Sequence, residues 1–211
     1  MDTQKHYNRI AGIYDALFGM VNKLYGFDEM NYRQLAISKL NLQEGDFVIE
    51  IGCGTGRNFE ALEELVGEQG KIIGIDNSSN MLRKACDRVK QKGWSNVELY
   101  NVDVSEKERI RSIRNPDDAL LSTLVYCTLW HDTKLRESFL TLLAESKRFS
   151  VMDANSRWTS SKLVRCALKA TSYLFGMHPQ YWDKDTVQEF EKIEGCSIEE
   201  AFHRMLFIAY K

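Results

Sequence analysis

Three glycines stand at every second position, Gly52, Gly54 and Gly56, directly after a short apolar run. Glycine allows a sharp turn and lets the backbone approach a ligand closely, so this spacing predicts a strand that ends in a tight ligand-binding loop. A helix behind such a loop aims free N–H groups at a carboxylate or phosphate. Glu50 and Cys53 are further ligand-contact candidates, although Glu50 could equally orient the loop and Cys53 could simply fill it.

Acidic residues follow the next two apolar runs. Asp76 closes the second run, where a carboxylate can accept hydrogen bonds from both hydroxyls of a ribose. Asp103 closes the third run, where a carboxylate can accept the exocyclic amine of adenine, and Met81 and Val104 are apolar side chains suited to sandwich the ring. The pattern predicts a site for an adenosine-containing cofactor. The alternative for each carboxylate is a plain helix-cap or turn role.

These residues need a framework of alternating strands and helices to position them. Apolar runs predict five strands, over residues 46–51, 71–75, 97–102, 119–125 and 149–152. Between the strands, apolar positions recur at helical spacing, with one helix from about Thr55 and another capped by Ser78 or Ser79. The alternation predicts an α/β fold with a doubly wound, mostly parallel sheet and helices on both faces. Ligands of such sheets bind beyond the carboxyl ends of the strands.

The remaining segments complete a single predicted domain over residues 1–211, built on a cofactor-binding core at 45–155. Residues 1–44 and most of 156–195 have the apolar spacing of helices. Residues 196–211 contain two apolar strands, 196–203 and 205–210, joined almost directly. Such a short connection predicts an antiparallel hairpin, which we expect at one edge of the sheet.

Composition narrows the class of protein. With 28 Lys and Arg against 30 Asp and Glu, the net charge of −2 provides no global basic field, so we expect no nucleic-acid partner. Five scattered cysteines without a Cys-x-x-Cys pair predict reduced thiols and no bound metal. We expect a cytoplasmic protein, because neither a signal peptide nor an apolar run of about 18 residues is present.

The combined pattern of Glu-x-Gly-x-Gly-x-Gly, Asp76 and Asp103 resembles class I S-adenosylmethionine-dependent methyltransferases. The resemblance implies a Rossmann-like sheet with a terminal antiparallel hairpin, S-adenosylmethionine as cofactor and S-adenosylhomocysteine as product. Arg57 and Asn58 could then reach the methionine carboxylate. Two alternatives remain open: a methyltransferase-like protein that binds the cofactor without turnover, and an NAD-dependent oxidoreductase, whose fingerprint places the third glycine one position later.

The opening segment, Arg-Ile-Ala-x-x-Tyr-Asp over residues 9–15, resembles ubiquinone/menaquinone C-methyltransferases and small phospholipid or betaine-lipid N-methyltransferases. The resemblance implies that residues 1–44 form a lid over the cofactor and that 156–195 cover the acceptor. It also implies that Tyr14, with Tyr7 as a further candidate, lies near the transferred methyl group, where an aromatic ring can stabilise the sulfonium. Tyr14 is therefore a candidate catalytic residue, unless it only packs in the core. The quinone family usually has a Pro-Gly-Gly turn before the fifth strand, and residues 145–148 stand there instead. This departure weakens the transfer of a specific acceptor to this chain.

The acceptor side carries weaker signals. His131 is the only histidine placed to act as a base beside the site, although a His-Asp pair that opens a helix is more often a helix cap. Asn77 and Ser122 adjoin strand ends and complete the cofactor candidates. The apolar stretch 163–177 suits an amphipathic acceptor met at a membrane surface, unless it is an ordinary packed helix. We expect a small-molecule or lipid-like acceptor, with the methylated atom and the oligomeric state left open.

Overall fold

A seven-stranded sheet forms the centre of the computed structural model, which describes residues 2–25, 28–115, 117–158 and 161–211. Within these ranges the strand order is β3-β2-β1-β4-β5-β7-β6. The strands are β1 (Phe47–Ile51), β2 (Lys71–Asp76), β3 (Val97–Asn101), β4 (Ala119–Thr123), β5 (Phe149–Ala154), β6 (Ser197–Ala201) and β7 (Leu206–Tyr210). Strands β1 to β5 pair in parallel, whereas β7 is antiparallel to both β5 and β6. The mostly parallel sheet with a terminal hairpin at one edge is therefore confirmed.

Helices connect the strands on both faces of the sheet. The α-helices are α1 (Thr3–Ile10), α2 (Tyr14–Tyr25), α3 (Glu29–Ser38), α4 (Phe59–Val66), α5 (Ser79–Lys92), α6 (Lys107–Ile113), α7 (Tyr126–Leu129), α8 (Thr133–Ala144), α9 (Lys162–Ser172) and α10 (Val187–Glu191). Two 3-10 helices, Tyr173–Phe175 and Pro179–Asp183, follow α9. The predicted cap of α5 is Ser78, whose hydroxyl accepts from the Met81 backbone N–H at 3.2 Å.

Several element boundaries differ from the sequence prediction. Helix α4 begins at Phe59 instead of Thr55, because the glycine loop continues with positive φ at Gly54 and Gly56. Strand β4 ends at Thr123, two residues early, because Leu124 takes a φ of 59° and turns the chain. Strand β5 continues to residue 154, since its pairing with β7 runs that far.

Two apolar layers hold the sheet between the helices. On one side Phe139, Phe149 and Phe207 are fully buried, and on the other side Phe59 and Leu62 of α4 are fully buried. Burial of each such side chain stabilises the fold by roughly 1.5–3 kcal/mol. Strand β2 lies on one side of β1 in the sheet, and β4 lies on the other side. This reversal of strand order opens a crevice between β1 and β4 at their carboxyl ends.

Candidate active site

A cleft of about 860 Å³, measured with its open mouth, lies at the carboxyl ends of the parallel strands. Its walls come from the loops after β1 to β4, from α1 and α3, and from the start of α2. Since the strand order is β3-β2-β1-β4, residues after β3 and β2 form one end of the cleft and residues after β4 form the other.

The glycine loop forms the floor of the cleft. Gly52 has a φ of 71°, and a Cβ there would overlap the side chain of Val125. Gly54 has a φ of 55°, but a Cβ there would meet nothing within 4 Å. The first glycine therefore allows close packing of two loops, and the second leaves open space that a ligand can occupy. The Gly52 N–H also donates to the Ile75 carbonyl at 2.7 Å, which ties the loop to β2.

Asp76 lines the cleft at the end of β2 and is held in a fixed orientation. Its carboxylate accepts from the backbone N–H groups of Gly54 at 2.9 Å and Ser78 at 2.8 Å. Burial raises the pKa of Asp76 to about 6, and these two donors oppose the rise. A carboxylate positioned in this way retains free lone pairs toward the cleft, which suits two hydroxyl donors.

Asp103, Asn77, Met81 and Val104 line the far end of the cleft. The Asn77 side-chain amide donates to the Asp103 carboxylate at 3.0 Å. Burial acts to raise the pKa of Asp103, but hydrogen bonds from Ser105 and Asn77 hold the pKa below its usual value. Asp103 is therefore an ionised acceptor in a cleft that is also lined by the buried apolar side chains of Met81 and Val104, a combination suited to a planar ring with an amine.

Helix α1 closes over this end through Asn8. The Asn8 side-chain oxygen accepts from the Ser78 hydroxyl at 2.7 Å and from the Asn80 backbone N–H at 3.1 Å. Its backbone carbonyl accepts from the Asn80 side-chain amide at 2.8 Å. The same helix places Thr3 and Tyr7 in the cleft lining. The N-terminal segment thus forms one wall of the site.

Asp15, in the first turn of α2, ties the same segment to the glycine loop. Its carboxylate accepts from the Thr55 hydroxyl at 2.8 Å and from the Arg88 guanidinium at 3.1 Å, and it lies 3.5 Å from an Arg57 nitrogen. One carboxylate therefore connects α2 with the loop before α4 and with α5. Since Tyr14 precedes it in the chain, these bonds also hold Tyr14 in the lining.

Tyr7 and Tyr14 form an aromatic pair in the cleft wall. Their ring centroids lie 6.0 Å apart at an interplanar angle of 65°, an edge-to-face arrangement. Burial raises the pKa of both phenols above the usual value, well above it for Tyr7. Both side chains therefore stay neutral at physiological pH, and neither is a strong base.

A buried arginine reaches the cleft from α3. Arg33 lines the cleft and pairs with Glu29, one helical turn earlier, at 2.5 Å. It also donates to the Thr123 hydroxyl at 2.5 Å. Glu29 pairs in addition with Arg57 at 3.1 Å, so one fully buried carboxylate holds two cations at the cleft wall. The Arg57 Nε atom is buried and has no hydrogen-bond partner.

Glu50 lies behind the lining. One of its oxygens accepts from the Asn58 side-chain amide at 2.6 Å, while the other is buried without a partner. Burial raises the pKa of Glu50 to about 8, although Arg33 and Asn58 oppose the rise. Asn58 donates in addition to the Thr123 hydroxyl at 3.0 Å. Glu50 therefore positions the loop and α4 through Asn58.

The cleft lining includes most of the predicted cofactor residues: Tyr14, Gly52, Cys53, Gly54, Asp76, Asn77, Met81, Asp103 and Val104. Five predicted residues lie outside the lining: Glu50, Gly56, Asn58, Ser122 and His131. The Ser122 hydroxyl donates to the Ile51 carbonyl at 3.0 Å, so it fastens β4 to β1. His131 is exposed, and its Nδ1 lies 3.1 Å from the Thr128 carbonyl. Asp132 beside it is the N-cap of α8, as the helix-cap alternative expected.

Three further residues, Arg33, Thr123 and Leu124, line the cleft and were not among the residues predicted from the sequence. Arg33 shares the buried face of α3 with Glu29. In the sequence, this pair of opposite charges at i, i+4 on an otherwise apolar helix face was the feature that could have indicated a buried arginine. Leu124 lines the cleft with a φ of 59°, a conformation that costs a non-glycine residue about 1–3 kcal/mol. No local pattern marks such a residue in advance.

No three His, Cys, Asp or Glu side chains gather into a metal-binding group anywhere in the part of the chain that the structure describes. In the same ranges no helix is both long and apolar enough to cross a membrane.

Comparisons of the sequence with known proteins agree on one type of domain. A family model described as "Methyltransferase domain" matches residues 42–201. Demethylmenaquinone methyltransferase of Bacillus subtilis is 27% identical over 144 residues, which cover 66% of this chain and 58% of that protein. A 23S rRNA (uracil(1939)-C(5))-methyltransferase of Acinetobacter baylyi is 34% identical over 89 residues, 42% of this chain and 19% of that protein. The chain thus spans less than two thirds of the length of these curated relatives.

Solved structures share the fold. A phosphoethanolamine N-methyltransferase 2 of Haemonchus contortus, in complex with phosphomonomethylethanolamine and S-adenosylhomocysteine, superposes with a TM-score of 0.68 at 16% identity. The match covers 97% of this chain and 47% of that one. A SAM-dependent methyltransferase from Aquifex aeolicus superposes with a TM-score of 0.56 at 19% identity, over 84% and 87% of the two chains. With its glycine loop, sheet order and family match, the chain belongs to the class I S-adenosylmethionine-dependent methyltransferases.

Proposed function

We propose that this methyltransferase transfers the methyl group of S-adenosylmethionine to a small-molecule or lipid-like acceptor. The observation that carries the proposal is the difference between the two ends of the cleft. Asp76 and Asp103, which follow β2 and β3, provide carboxylates on one side of the glycine loop, whereas Leu124, which follows β4, provides apolar surface on the other side, and Tyr7 and Tyr14 add aromatic rings to the lining. Carboxylates suit the polar nucleoside, and the aromatic and apolar end suits an acceptor with apolar character.

The residues of the cleft fit the cofactor. In the proposed arrangement Asp76 accepts from the ribose hydroxyls, Asp103 accepts from the adenine amine, and Met81 packs on the ring. The unpartnered Arg57 Nε supports a carboxylate ligand at the methionine end, because a buried guanidinium N–H without a partner is costly. Gly54 supports it further, since the space beside its Cα is open to a ligand.

The cofactor, when bound, supplies an electrophilic methyl group on a sulfonium sulfur. What this chain contributes is positioning and the exclusion of water, which can be worth roughly 7–11 kcal/mol of the barrier. Tyr14 and Tyr7 would present ring edges or faces to the positive charge. Because burial raises the pKa of both phenols, we propose that neither removes a proton from the acceptor, and that the nucleophile arrives already unprotonated.

Nucleic acid is a less suitable acceptor for this chain. Some relatives carry rRNA methyltransferase names, among them the Acinetobacter baylyi protein. The charge balance of 28 basic against 30 acidic residues, however, offers little of the counterion release on which RNA binding depends. The free cysteines support our further proposal of a reducing, cytoplasmic location.

The test is release of S-adenosylhomocysteine from a panel of acceptors: phosphoethanolamine, a soluble demethylated quinol, phosphatidylethanolamine vesicles and protein-free rRNA. We expect turnover with at least one small or lipid-like acceptor and none with rRNA. A Gly54→Val variant, which fills the space beside the loop, is the matched negative control. The proposed acceptor class would be contradicted by turnover on rRNA alone. It would also be contradicted if the protein bound the cofactor but methylated none of the acceptors.

A further inference from the structure

Exposed apolar side chains concentrate on two segments, residues 2–25 and 161–184, called here the covering segments. Among the described residues, the five most exposed large apolar side chains are Leu163 at 81%, Ile13 at 61%, Met20 at 60%, Leu174 at 57% and Tyr173 at 52%. All five belong to the covering segments. The other two exposed large apolar residues, Phe47 at 39% and Leu65 at 42%, lie at the amino-terminal edge of the sheet, away from the cleft.

The two covering segments meet beside the cleft. Gly176 has a φ of 66°, and a Cβ there would lie 3.0 Å from the Tyr7 phenol oxygen, so its backbone packs directly against Tyr7. Tyr7 in turn contacts Tyr14 in the cleft wall. The exposed Ile13 precedes Tyr14, and the exposed Leu174 lies two residues before Gly176. Two of the exposed apolar residues, Ile13 and Leu174, therefore flank the junction that adjoins the site.

The charge of the covering segments differs from that of the rest of the chain. Together the segments contain seven Lys and Arg residues and three Asp residues, whereas the remaining residues contain 21 basic and 27 acidic ones. A surface that combines exposed apolar side chains with excess positive charge matches the interface of an anionic bilayer. Tyrosine is also enriched at that interface.

We propose that the covering segments dock on the surface of an anionic lipid bilayer, with the cleft mouth toward the lipid. A second copy of the chain fits this surface less well, because a two-fold dimer would bring the same cationic segments together. Docking gives an amphipathic acceptor a direct path from the membrane to Tyr7 and Tyr14. The docking proposal depends on the proposed acceptor class only for the purpose of docking, because lipid binding can be measured without methyl transfer.

The test is sedimentation of the full chain with vesicles of phosphatidylglycerol and phosphatidylcholine, and with vesicles of phosphatidylcholine alone. We expect binding to the anionic vesicles, weakened by high salt. The double variant Leu163→Glu/Leu174→Glu should bind them at least about tenfold more weakly, because each change removes apolar contact and adds repulsion. The matched control, Leu65→Glu, changes an exposed leucine at the opposite edge and should bind within about twofold of the wild type.

Cofactor affinity, measured by calorimetry on all three proteins, shows whether the variants remain folded, since none of the substituted residues lines the cleft. Absence of binding to anionic vesicles would overturn the docking proposal, as would equal losses in the Leu65→Glu and double variants. A dimer in sedimentation velocity that only the double variant dissociates would assign the surface to a second copy and would also overturn it. Each of these results leaves the transfer to soluble acceptors unaffected.

Discussion

Asp76 should make cofactor affinity depend on pH in a range where most carboxylates do not titrate. Burial raises its pKa to about 6 in the absence of ligand. Two hydroxyl donors would favour the ionised form, so cofactor binding should lower that pKa and release a proton at acidic pH. Affinity is therefore fully present well above the ligand-free pKa of about 6 and is lost as the pH falls through that value.

The size of the effect follows from the ionised fraction. With a pKa of about 6, Asp76 is about nine-tenths ionised at pH 7 and about one-tenth ionised at pH 5, so the association constant should fall roughly tenfold between them. Asp76→Asn keeps the shape but removes the charge. Loss of charge-assisted hydrogen bonds should cost about 1–3 kcal/mol at pH 7, which corresponds to roughly 5- to 150-fold weaker binding.

Isothermal titration calorimetry with S-adenosylhomocysteine at several pH values measures both effects. Asp153 has a similarly raised pKa, about 6, but its carboxylate accepts from the backbone N–H groups of Cys127 and Ala154 outside the lining. Since Asp76→Asn retains Asp153, the difference between the two pH profiles belongs to Asp76. Unchanged affinity in the variant, or the same pH dependence in both proteins, would refute the ribose assignment.

Three further substitutions test the framework around the site. Gly52→Ala should lower the free energy of unfolding by about 1–3 kcal/mol in urea titrations, because the new Cβ overlaps Val125 at a positive φ. Adding Val125→Ala should recover part of this loss, and strictly additive effects of the two substitutions would contradict the overlap. Glu29→Gln should lower the free energy of unfolding by about 3–5 kcal/mol, because it leaves Arg33 without its carboxylate partner and leaves Arg57 with Asp15 alone. Adding Arg33→Met should recover part of this loss, whereas a further loss would contradict the pairing. Asp15→Asn should accelerate cofactor release up to about fivefold in stopped-flow experiments, because partly exposed ion pairs contribute about 0.2–1 kcal/mol. An unchanged release rate would show that the bonds of Asp15 do not hold the N-terminal wall of the cleft closed.

Much of the fold could be predicted because it is encoded locally. The glycine spacing predicts the loop after β1, and alternating apolar runs predict parallel strands, since both signals depend only on neighbours in the chain. The carboxyl ends of those strands must meet at one edge, so the sequence alone places Asp76 and Asp103 at one site. Boundaries were less predictable: α4 begins after the loop at Phe59, and β4 ends where Leu124 turns with positive φ.

The tertiary structure alone decided which side chains face the cleft. Glu50 lies two residues before the glycine loop, yet it points behind the wall to Asn58, whereas Arg33 is distant in sequence and reaches the lining. Burial of a polar side chain depends on residues that approach from other elements, such as Thr123 of β4 beside Arg33 of α3. The sequence by itself determined the sheet, the loop and the strand-end carboxylates, because these follow from local patterns. Packing between distant elements decided which side chains line the cleft and which apolar side chains remain exposed, because solvent exposure is a property of the assembled chain.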